Sequence, residues 1–513
     1  MASLIPGLRR AAPRLSRDFF ICHQCLKHSR PRLQLPVKAN LSRNIRFNSS
    51  TTALPEHGSA SPLSSLSKTI SGAERQKISQ KIANEGQANA KGQKSFFPDT
   101  SSNTVAYWLL ASAGSVFGIV VFGGLTRLTE SGLSITEWKP VTGSLPPLSQ
   151  ADWDSEFSKY RASPEFALLN PHMTLSEFKQ IYYMEWGHRL WGRIVGLSFV
   201  LPAIYFVARR RVSKNMSIRL LGISALIGFQ GFLGWYMVKS GLKDDLFAPG
   251  SHPRVSQYRL TAHLGAAFLC YTAMFWNGLS ILRTNALLLN PQQAAQDLAR
   301  LKSPLLSPFR KSVAGLALLI FTTAMSGGLV AGLDAGMIYN EFPKMGLGLT
   351  PPRSELFSAF YSRKEDGSDI WWRNMLENPS TVQLDHRILA TTTFTAVMGL
   401  WAYTRFNKTV RAALPISCRK GMLGVVHVVF LQVALGISTL IYLVPTPLAA
   451  AHQAGSLLLL TQALVLGSRT WVPGRMAAMV TKRASVQGVK KAEVNKVKKV
   501  FTGIDRNKAP KNM

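Results

Sequence analysis

The chain has 513 residues, of which 46% are hydrophobic, and a formal net charge of +34. Its uncharged stretches are close to the length of about 20 apolar residues that crosses a bilayer. They are 100–126, 220–238, 260–282, 312–333, 388–404 and 421–468. Because a soluble protein would not repeat uncharged runs of this length, the composition excludes an ordinary soluble enzyme.

Residues 1–50 contain ten Lys and Arg residues, a single acid (Asp18) and many Ser, Leu and Pro residues. This composition is typical of a mitochondrial transit peptide, the alternative being a disordered basic tail. Cys22 and Cys25 form a CxxC motif that would suit zinc or redox chemistry. The motif has no second pair, so we expect it to be removed with the transit peptide. Residues 51–103 predict a polar segment on the matrix side.

Eight transmembrane helices are predicted over the remainder of the chain. The first four lie in 104–283, where the segment from His188 to Ala208 adds a span to the uncharged runs. A matrix linker, 284–311, precedes the second four in 312–470, and Pro445 and Pro447 divide the run 421–468 into two helices. The basic tail 471–513 lacks aromatic-interleaved binding motifs, so we expect it to face anionic lipid and not nucleic acid.

The connections alternate in charge. Those at 209–219, 283–311 and 405–420 each contain five Lys and Arg residues, whereas 127–187 and 334–385 hold nearly all the acids. The positive-inside rule places the basic connections and both termini in one compartment. Together with the transit peptide, this predicts a multi-pass protein of the mitochondrial inner membrane with both termini in the matrix.

The chain also contains an internal duplication. Gly123-Gly-Leu recurs at Gly327, and the pattern Gln230-x-x-x-Gly234 recurs at Gln432-x-x-x-Gly436. Four helices in each unit give both units the same orientation. The predicted fold is therefore an all-α polytopic membrane protein whose eight helices form two pseudo-symmetric four-helix bundles in a parallel repeat.

Four of the ten histidines occupy matched places in this repeat: His188 and His263 in the first half, His386 and His452 in the second. Each is expected near the start of a helix that enters from the outer side, so all four lie at similar depth. Paired imidazoles suit a six-coordinate haem iron in each half. A zinc site fits less well, because its four ligands would have to lie close together.

The residues beside the histidines differ between the halves. Glu185 precedes His188 by three residues, where the second half has Gln383, so we expect one catalytic and one cofactor site. The alternative for Glu185 is an acid favoured at a helix start. Arg189 and Arg387 follow two of the histidines and suit haem propionates, although arginines also anchor helix ends at an interface.

The segment from Gly123 to Pro140 and the stretch from Glu185 to Gly196 resemble haem A synthases. So do Ala331–Gly336, Tyr339-Asn340 and Asp385–Arg387 in the second half, and the similarity covers about residues 104–470. The organisation is similar to that of mitochondrial members. Bacterial members often have a cysteine pair in the first outer loop, but 127–187 contains no cysteine.

The resemblance implies an oxidoreductase that converts the C8 methyl of haem O to a formyl group in two oxidations, making haem A for cytochrome c oxidase. It implies that His188 and His263 flank the substrate haem O, with Glu185 as the nearby acid. It implies that His386 and His452 ligate haem b.

Expected partners are haem O, lipid, a ferredoxin-type electron carrier on the matrix side, and haem O synthase or oxidase assembly factors. A homo-oligomer stays open. The histidine pairs would equally suit a b-type electron carrier that does not modify haem. A transporter is the third alternative, but it would place ionisable groups near the bilayer midplane, where this chain has almost none.

Overall fold

The computed structural model describes residues 96–139, 141–242 and 254–488. The expected transit peptide, with Cys22 and Cys25, and the end of the basic tail lie outside these residues. The α-helices in chain order are α1 (Asn103–Leu128), α2 (Gln150–Arg161), α3 (Pro164–Leu169), α4 (Leu175–Ala208), α5 (Lys214–Gly241), α6 (Gln257–Leu287), α7 (Pro291–Lys302), α8 (Ser307–Gly332), α9 (Arg353–Leu356), α10 (Ile370–Glu377), α11 (Pro379–Phe406), α12 (Lys408–Ala413), α13 (Ile416–Ile441) and α14 (Thr446–Thr470).

The described part of the chain is helical and contains no β-strand beyond one isolated bridge between Met345 and Gly348. Seven helices in it are long and apolar enough to cross a membrane: α1, α4, α5, α6, α8 with its preceding turn, α13 and α14. The polytopic all-α class is therefore confirmed. The eighth expected span, α11, is as long as the others but is not among the seven, since it contains Asp385, Arg387 and several threonines.

The eight long helices pack as two rings of four. In the first, α1 contacts α4 and α6, and α5 joins α4 to α6; in the second, α8 contacts α11 and α14, and α13 joins α11 to α14. The rings meet where α6 packs on α8 and α14 packs on α1, with α6 and α14 also in contact. One hydrophobic core runs through both. Each contact in one half has its counterpart in the other, as a parallel repeat requires.

The basic connections lie at one end of this assembly. The backbone N–H of Ser102, before α1, donates to the Arg211 carbonyl between α4 and α5 over 2.9 Å. The Asn285 side chain, near the end of α6, donates to the Ser101 carbonyl over 2.9 Å. Residues 474–488 form a further helix whose Met476 and Val480 pack against Leu298 of α7. The first part of the tail is thus packed on the protein.

The opposite end is more structured than the sequence indicated, because the long acidic connections contain helices α2, α3, α9 and α10. The first connection has its own aromatic core, in which Trp153, Phe157 and Tyr160 pack on Phe178 of α4. Helix α4 begins at Leu175, capped by Thr174, and not near His188 as expected. The reason is that Phe178 and Tyr182 extend the helix by packing on this aromatic core.

Candidate functional site

The four histidines line one cavity of about 1980 Å³. Ligand cavities are usually about 300–1,000 Å³, so this one has room for more than one drug-sized molecule. His188 and His263 enter it from α4 and α6, and His386 and His452 enter it from α11 and α14. Both histidine pairs therefore open into one continuous space.

Each histidine ring lies against a glycine on a neighbouring helix. A Cβ at Gly123 would lie 2.8 Å from Cε1 of His188, and one at Gly436 would lie 2.8 Å from Cε1 of His452. The corresponding distance is 3.2 Å for Gly234 with His263 and for Gly327 with His386. Any larger residue at these places would press on the ring. The repeated glycines are therefore part of the histidine sites.

The repeated glutamines fix the backbone of two of the histidines. The side-chain amide of Gln230 on α5 donates to the His263 carbonyl over 2.9 Å, and that of Gln432 on α13 donates to the His452 carbonyl over 2.9 Å. In each half the glutamine and the glycine four residues later thus hold one turn of the partner helix. This contact explains the repeated Gln-x-x-x-Gly pattern, whose role the sequence did not reveal.

The second histidine pair fits an iron held between two imidazoles. The ring centroids of His386 and His452 are 6.4 Å apart, and the ring planes are perpendicular. A metal–imidazole bond of about 2.0 Å on each side, plus about 1.1 Å from nitrogen to ring centre, places two centroids about 6.2 Å apart. The pair is already at the separation that axial ligation requires.

The two pairs differ in what contacts the ring. Nδ1 of His386 is 2.8 Å from the hydroxyl of Ser326, so Nε2 is the nitrogen left for a metal. The equivalent residue of the first half is Phe122, whose ring stacks on His188 at 6.3 Å between centroids. Nδ1 of His188 has no hydrogen-bond partner among the described residues. The orientation of His386 is therefore fixed by a hydrogen bond that His188 lacks.

Glu185 is buried in the wall of the first half, and both of its carboxylate oxygens accept hydrogen bonds. Oε2 accepts from the Ser134 hydroxyl (2.7 Å) and the Ile135 N–H (2.8 Å). Oε1 accepts from Nε (3.0 Å) and Nη2 (2.6 Å) of Arg189. The acid therefore fastens the segment after α1 to α4. In the second half, Gln383 instead donates to the Tyr339 carbonyl over 3.0 Å.

Arg189 and Arg387 make equivalent contacts with the outer segments. Arg189 donates to the carbonyls of Ile135 (2.9 Å) and Glu137 (3.2 Å). Arg387 donates to those of Tyr339 and Lys344, both over 3.0 Å, and its buried Nε has no partner among the described residues. Both arginines line the cavity. Each arginine donates two hydrogen bonds to backbone carbonyls, and the buried Nε of Arg387 remains available to a ligand.

An ion cluster that sequence reasoning missed joins the two halves at the outer end of the cavity. Asp334, which follows α8, accepts from Arg127 at the end of α1 (2.7 Å) and from Arg254 before α6 (2.9 Å). Asp334 has a left-handed backbone with a φ of 52°. The sequence contained one indication of this cluster: Arg127 is charged, whereas Ala331, the equivalent residue of the second half, is not.

A second acid, Glu165 of α3, also lines the cavity beside the first half. It is 4% exposed, and its Oε2 has no hydrogen-bond partner among the described residues. Burial, reinforced by the negative charges of Glu185 and Glu130, raises the pKa of the Glu165 carboxyl to about 8, while Arg127 lowers it by less. The sequence pattern did not single out Glu165 from the other acids of the connection 127–187.

Comparison with known proteins shows the family to which the chain belongs. Residues 106–464 match the model of the cytochrome oxidase assembly protein family COX15-CtaA. The chain is 53% identical over 374 residues to Heme A synthase COX15 of Saccharomyces cerevisiae, covering 73% of this chain and 76% of that protein. It is 46% identical to the human Heme A synthase COX15, covering 74% and 85%.

A third relative has an additional domain. The Heme A synthase-mitochondrial ferredoxin fusion protein of Schizosaccharomyces pombe is 52% identical over 372 residues. The alignment covers 72% of this chain and 60% of the fusion protein.

Proposed function

Because this chain belongs to the cytochrome oxidase assembly protein family, we propose that it is a haem A synthase, which oxidises the C8 methyl of haem O to a formyl group. The observation that carries the proposal is one cavity lined by two matched histidine pairs, with Glu185 in its wall in the first half where the second half has Gln383. The relatives' names support the same activity.

We assign the first-half pair, His188 and His263, to the substrate haem O, and the second-half pair, His386 and His452, to a resident haem b. The separation of the second pair and the hydrogen bond from Ser326 to His386 favour a permanently held group there. When bound, haem b supplies electron transfer.

The protein's part in the first half is to hold the substrate and to manage protons. Gly123 and Gly234 leave room for the imidazole rings of His188 and His263, the residues that would hold haem O. Glu185 remains our candidate for the acid or base nearest the reacting methyl. Its oxygens are occupied by Ser134, Ile135 and Arg189, so accepting a proton requires one of these donors to move away.

The second-half arginine has the clearer role in binding a propionate, because Nε of Arg387 is buried and unpaired among the described residues. A carboxylate there would satisfy this donor. Arg189 would contact a propionate only by sharing donors with Glu185.

We propose that the electron partner is a ferredoxin-type carrier, which the fusion of a relative to mitochondrial ferredoxin supports. The basic connections at one end of the helices support matrix termini in the inner membrane. Helix α11 would be the eighth span, because its threonines satisfy their hydroxyls within the helix: Thr391 donates to Arg387 (2.9 Å) and Thr392 to Ile388 (2.7 Å). Residues 1–50 are the proposed import sequence.

Haem extraction tests the proposed reaction. Cells in which this protein is inactivated should accumulate haem O and lose haem A. The purified wild-type protein should convert haem O to haem A when given either reduced ferredoxin and air or oxidised ferredoxin as the electron acceptor. Unchanged cellular haem composition after inactivation would contradict a synthase and point to an electron carrier.

A further inference from the structure

The Glu165 side chain lines the cavity, and its Oε2 makes no hydrogen bond with the described residues. Its neighbours in α3 explain its direction: Phe166 packs edge-on against Tyr160 and Phe157 at 5.7 and 6.0 Å between centroids, so that side of the helix faces the aromatic core. The Glu165 side chain is left in the cavity lining with His188. A buried carboxyl oxygen without a partner is costly in a folded protein and commonly marks function.

The two buried acids that line the cavity in the first half, Glu185 and Glu165, differ in their partners. Glu185 accepts hydrogen bonds on both oxygens and is paired with Arg189, which stabilises its charged form. Glu165 has neither a cation nor a hydrogen-bond donor on Oε2 among the described residues. The nearest arginine that influences it, Arg127, is paired with Asp334. Glu185 therefore has a hydrogen-bond partner on each oxygen, whereas the raised pKa of Glu165 favours its neutral acid.

We propose that Glu165 carries an exchangeable proton in the part of the cavity beside His188 and His263. It passes protons between this substrate site and water at the outer face. This inference rests on the proposed function. The outer route would pass Glu130, which is exposed and lines the same cavity.

The groups that face Glu165 support this protonation state. Glu185 on α4 and Glu130 after α1 are negative, Arg127 is positive but paired, and Tyr160 on α2 is fully buried. Burial and the two acids together raise the pKa of Glu165 to about 8, so the carboxyl is mostly protonated at neutral pH but can ionise. A group near the working pH transfers protons most effectively in both directions.

In the proposed step Glu165 transfers only protons, and the ferredoxin-type carrier transfers the electrons. Converting a methyl to a formyl group with water as the oxygen source releases four protons and four electrons, the latter to the ferredoxin-type carrier. With two molecules of dioxygen, four electrons from that carrier and four protons are consumed, and three waters form. In the first case Glu165 loses its proton outward and regains one from the chamber; in the second, the transfers run inward.

Infrared spectroscopy of the full-length purified protein tests the protonation directly. The carbonyl band of a neutral carboxylic acid should disappear with a midpoint near pH 8 in the wild type. It should be absent in Glu165→Gln, and it should persist in Glu185→Gln and in Asp154→Asn, a control that removes an exposed acid of α2. A band that persists unchanged in Glu165→Gln would overturn the proposal.

Turnover of the same preparations tests the transfer. Glu165→Gln should lower the rate of haem A formation about 100-fold with unchanged haem content, and Glu165→Asp should recover part of it. Asp154→Asn should match the wild type. A Glu165→Gln rate equal to that of the wild type from pH 6 to 9 would overturn the proposal. If the wild type itself makes no haem A, the proposed function fails, while the infrared titration still decides whether Glu165 holds a proton.

Discussion

In the first half, His188 stacks on Phe122 and lies one turn from the ion pair of Glu185 and Arg189. In the second, His386 is hydrogen-bonded to Ser326 and lies one turn from the neutral amide of Gln383. The glycines and glutamines that support the histidines are the same in both. A duplicated scaffold has thus kept the geometry of its ligands and changed the polar groups around them.

Glu185, which is matched by the amide Gln383 in the second half, should account for the largest difference in activity between the halves. Glu185→Gln should lower haem A formation about 100-fold or more, the size expected for losing an acid–base group. The variant also leaves Arg189 without its carboxylate, and breaking such a buried pair costs about 3–5 kcal/mol. The measurement is haem A formed per bound substrate haem, alongside the melting temperature.

The matched change in the second half is Gln383→Leu, which removes a single hydrogen bond to the Tyr339 carbonyl. It should lower haem A formation less than tenfold. A Glu185→Gln variant that makes haem A at the wild-type rate would remove Glu185 from the mechanism and leave it a structural link.

The glycines allow the same perturbation to be made in either half. A leucine at Gly123 or Gly327 would displace the facing histidine, and displacing a reacting group by about 1 Å can cost about 100-fold. Gly123→Leu should chiefly lower haem A formation, and Gly327→Leu should chiefly lower haem b content.

Two controls lie on the same helices. Gly114 on α1 and Gly315 on α8 have open space where a Cβ would be added, so leucine there should leave haem content and turnover close to the wild type. Equal loss of haem b from the Gly123 and Gly327 variants would contradict separate sites.

Ser326→Ala should have a smaller effect confined to the second half. Removing a hydrogen bond that orients a metal-bound histidine typically weakens metal binding about 10–100-fold. We expect weaker haem b retention, measured by competition with a haem-binding protein. Phe122→Leu, at the equivalent position, removes no hydrogen bond and should leave haem b retention unchanged; a loss equal to that of Ser326→Ala would argue against the proposed asymmetry.

The smallest expected effect is on stability as pH changes. The folded-state pKa of Glu165, about 8, lies above its ordinary 4.5, so between these values the unfolded state releases a proton that the folded state keeps. Wild-type stability should therefore fall relative to Glu165→Gln as pH rises from about 5 to 8 and then level off. The melting-temperature difference should change by about a few degrees. A difference independent of pH would show that Glu165 is ionised throughout.

The sequence predicted the helices and the four histidines because both follow from local pattern: uncharged length gives the spans, and the duplication reveals which histidines correspond. It could not predict the supporting contacts, since Gln230 meets His263 and Gly123 meets His188 only after distant helices pack. Helices α2 and α3 were missed because their aromatic residues pack on α4 and not within a span.

The environment of charged groups was the least predictable feature. Arg189 and Arg387 were expected to face propionates, yet each also donates two hydrogen bonds to carbonyls of outer segments whose course the sequence does not reveal. Glu185 and Glu165 are both glutamates, and the sequence does not distinguish their surroundings. Only the folded chain shows that one is fully hydrogen-bonded and the other has an unpaired buried oxygen.

The central claim, that the first half holds the haem to be altered and the second the haem that stays, is tested most directly by identifying the haem bound to purified His188→Ala and His386→Ala. We predict that haem b is lost mainly from His386→Ala, whereas His188→Ala retains haem b and fails to make haem A. Loss of haem b mainly from His188→Ala would contradict this division.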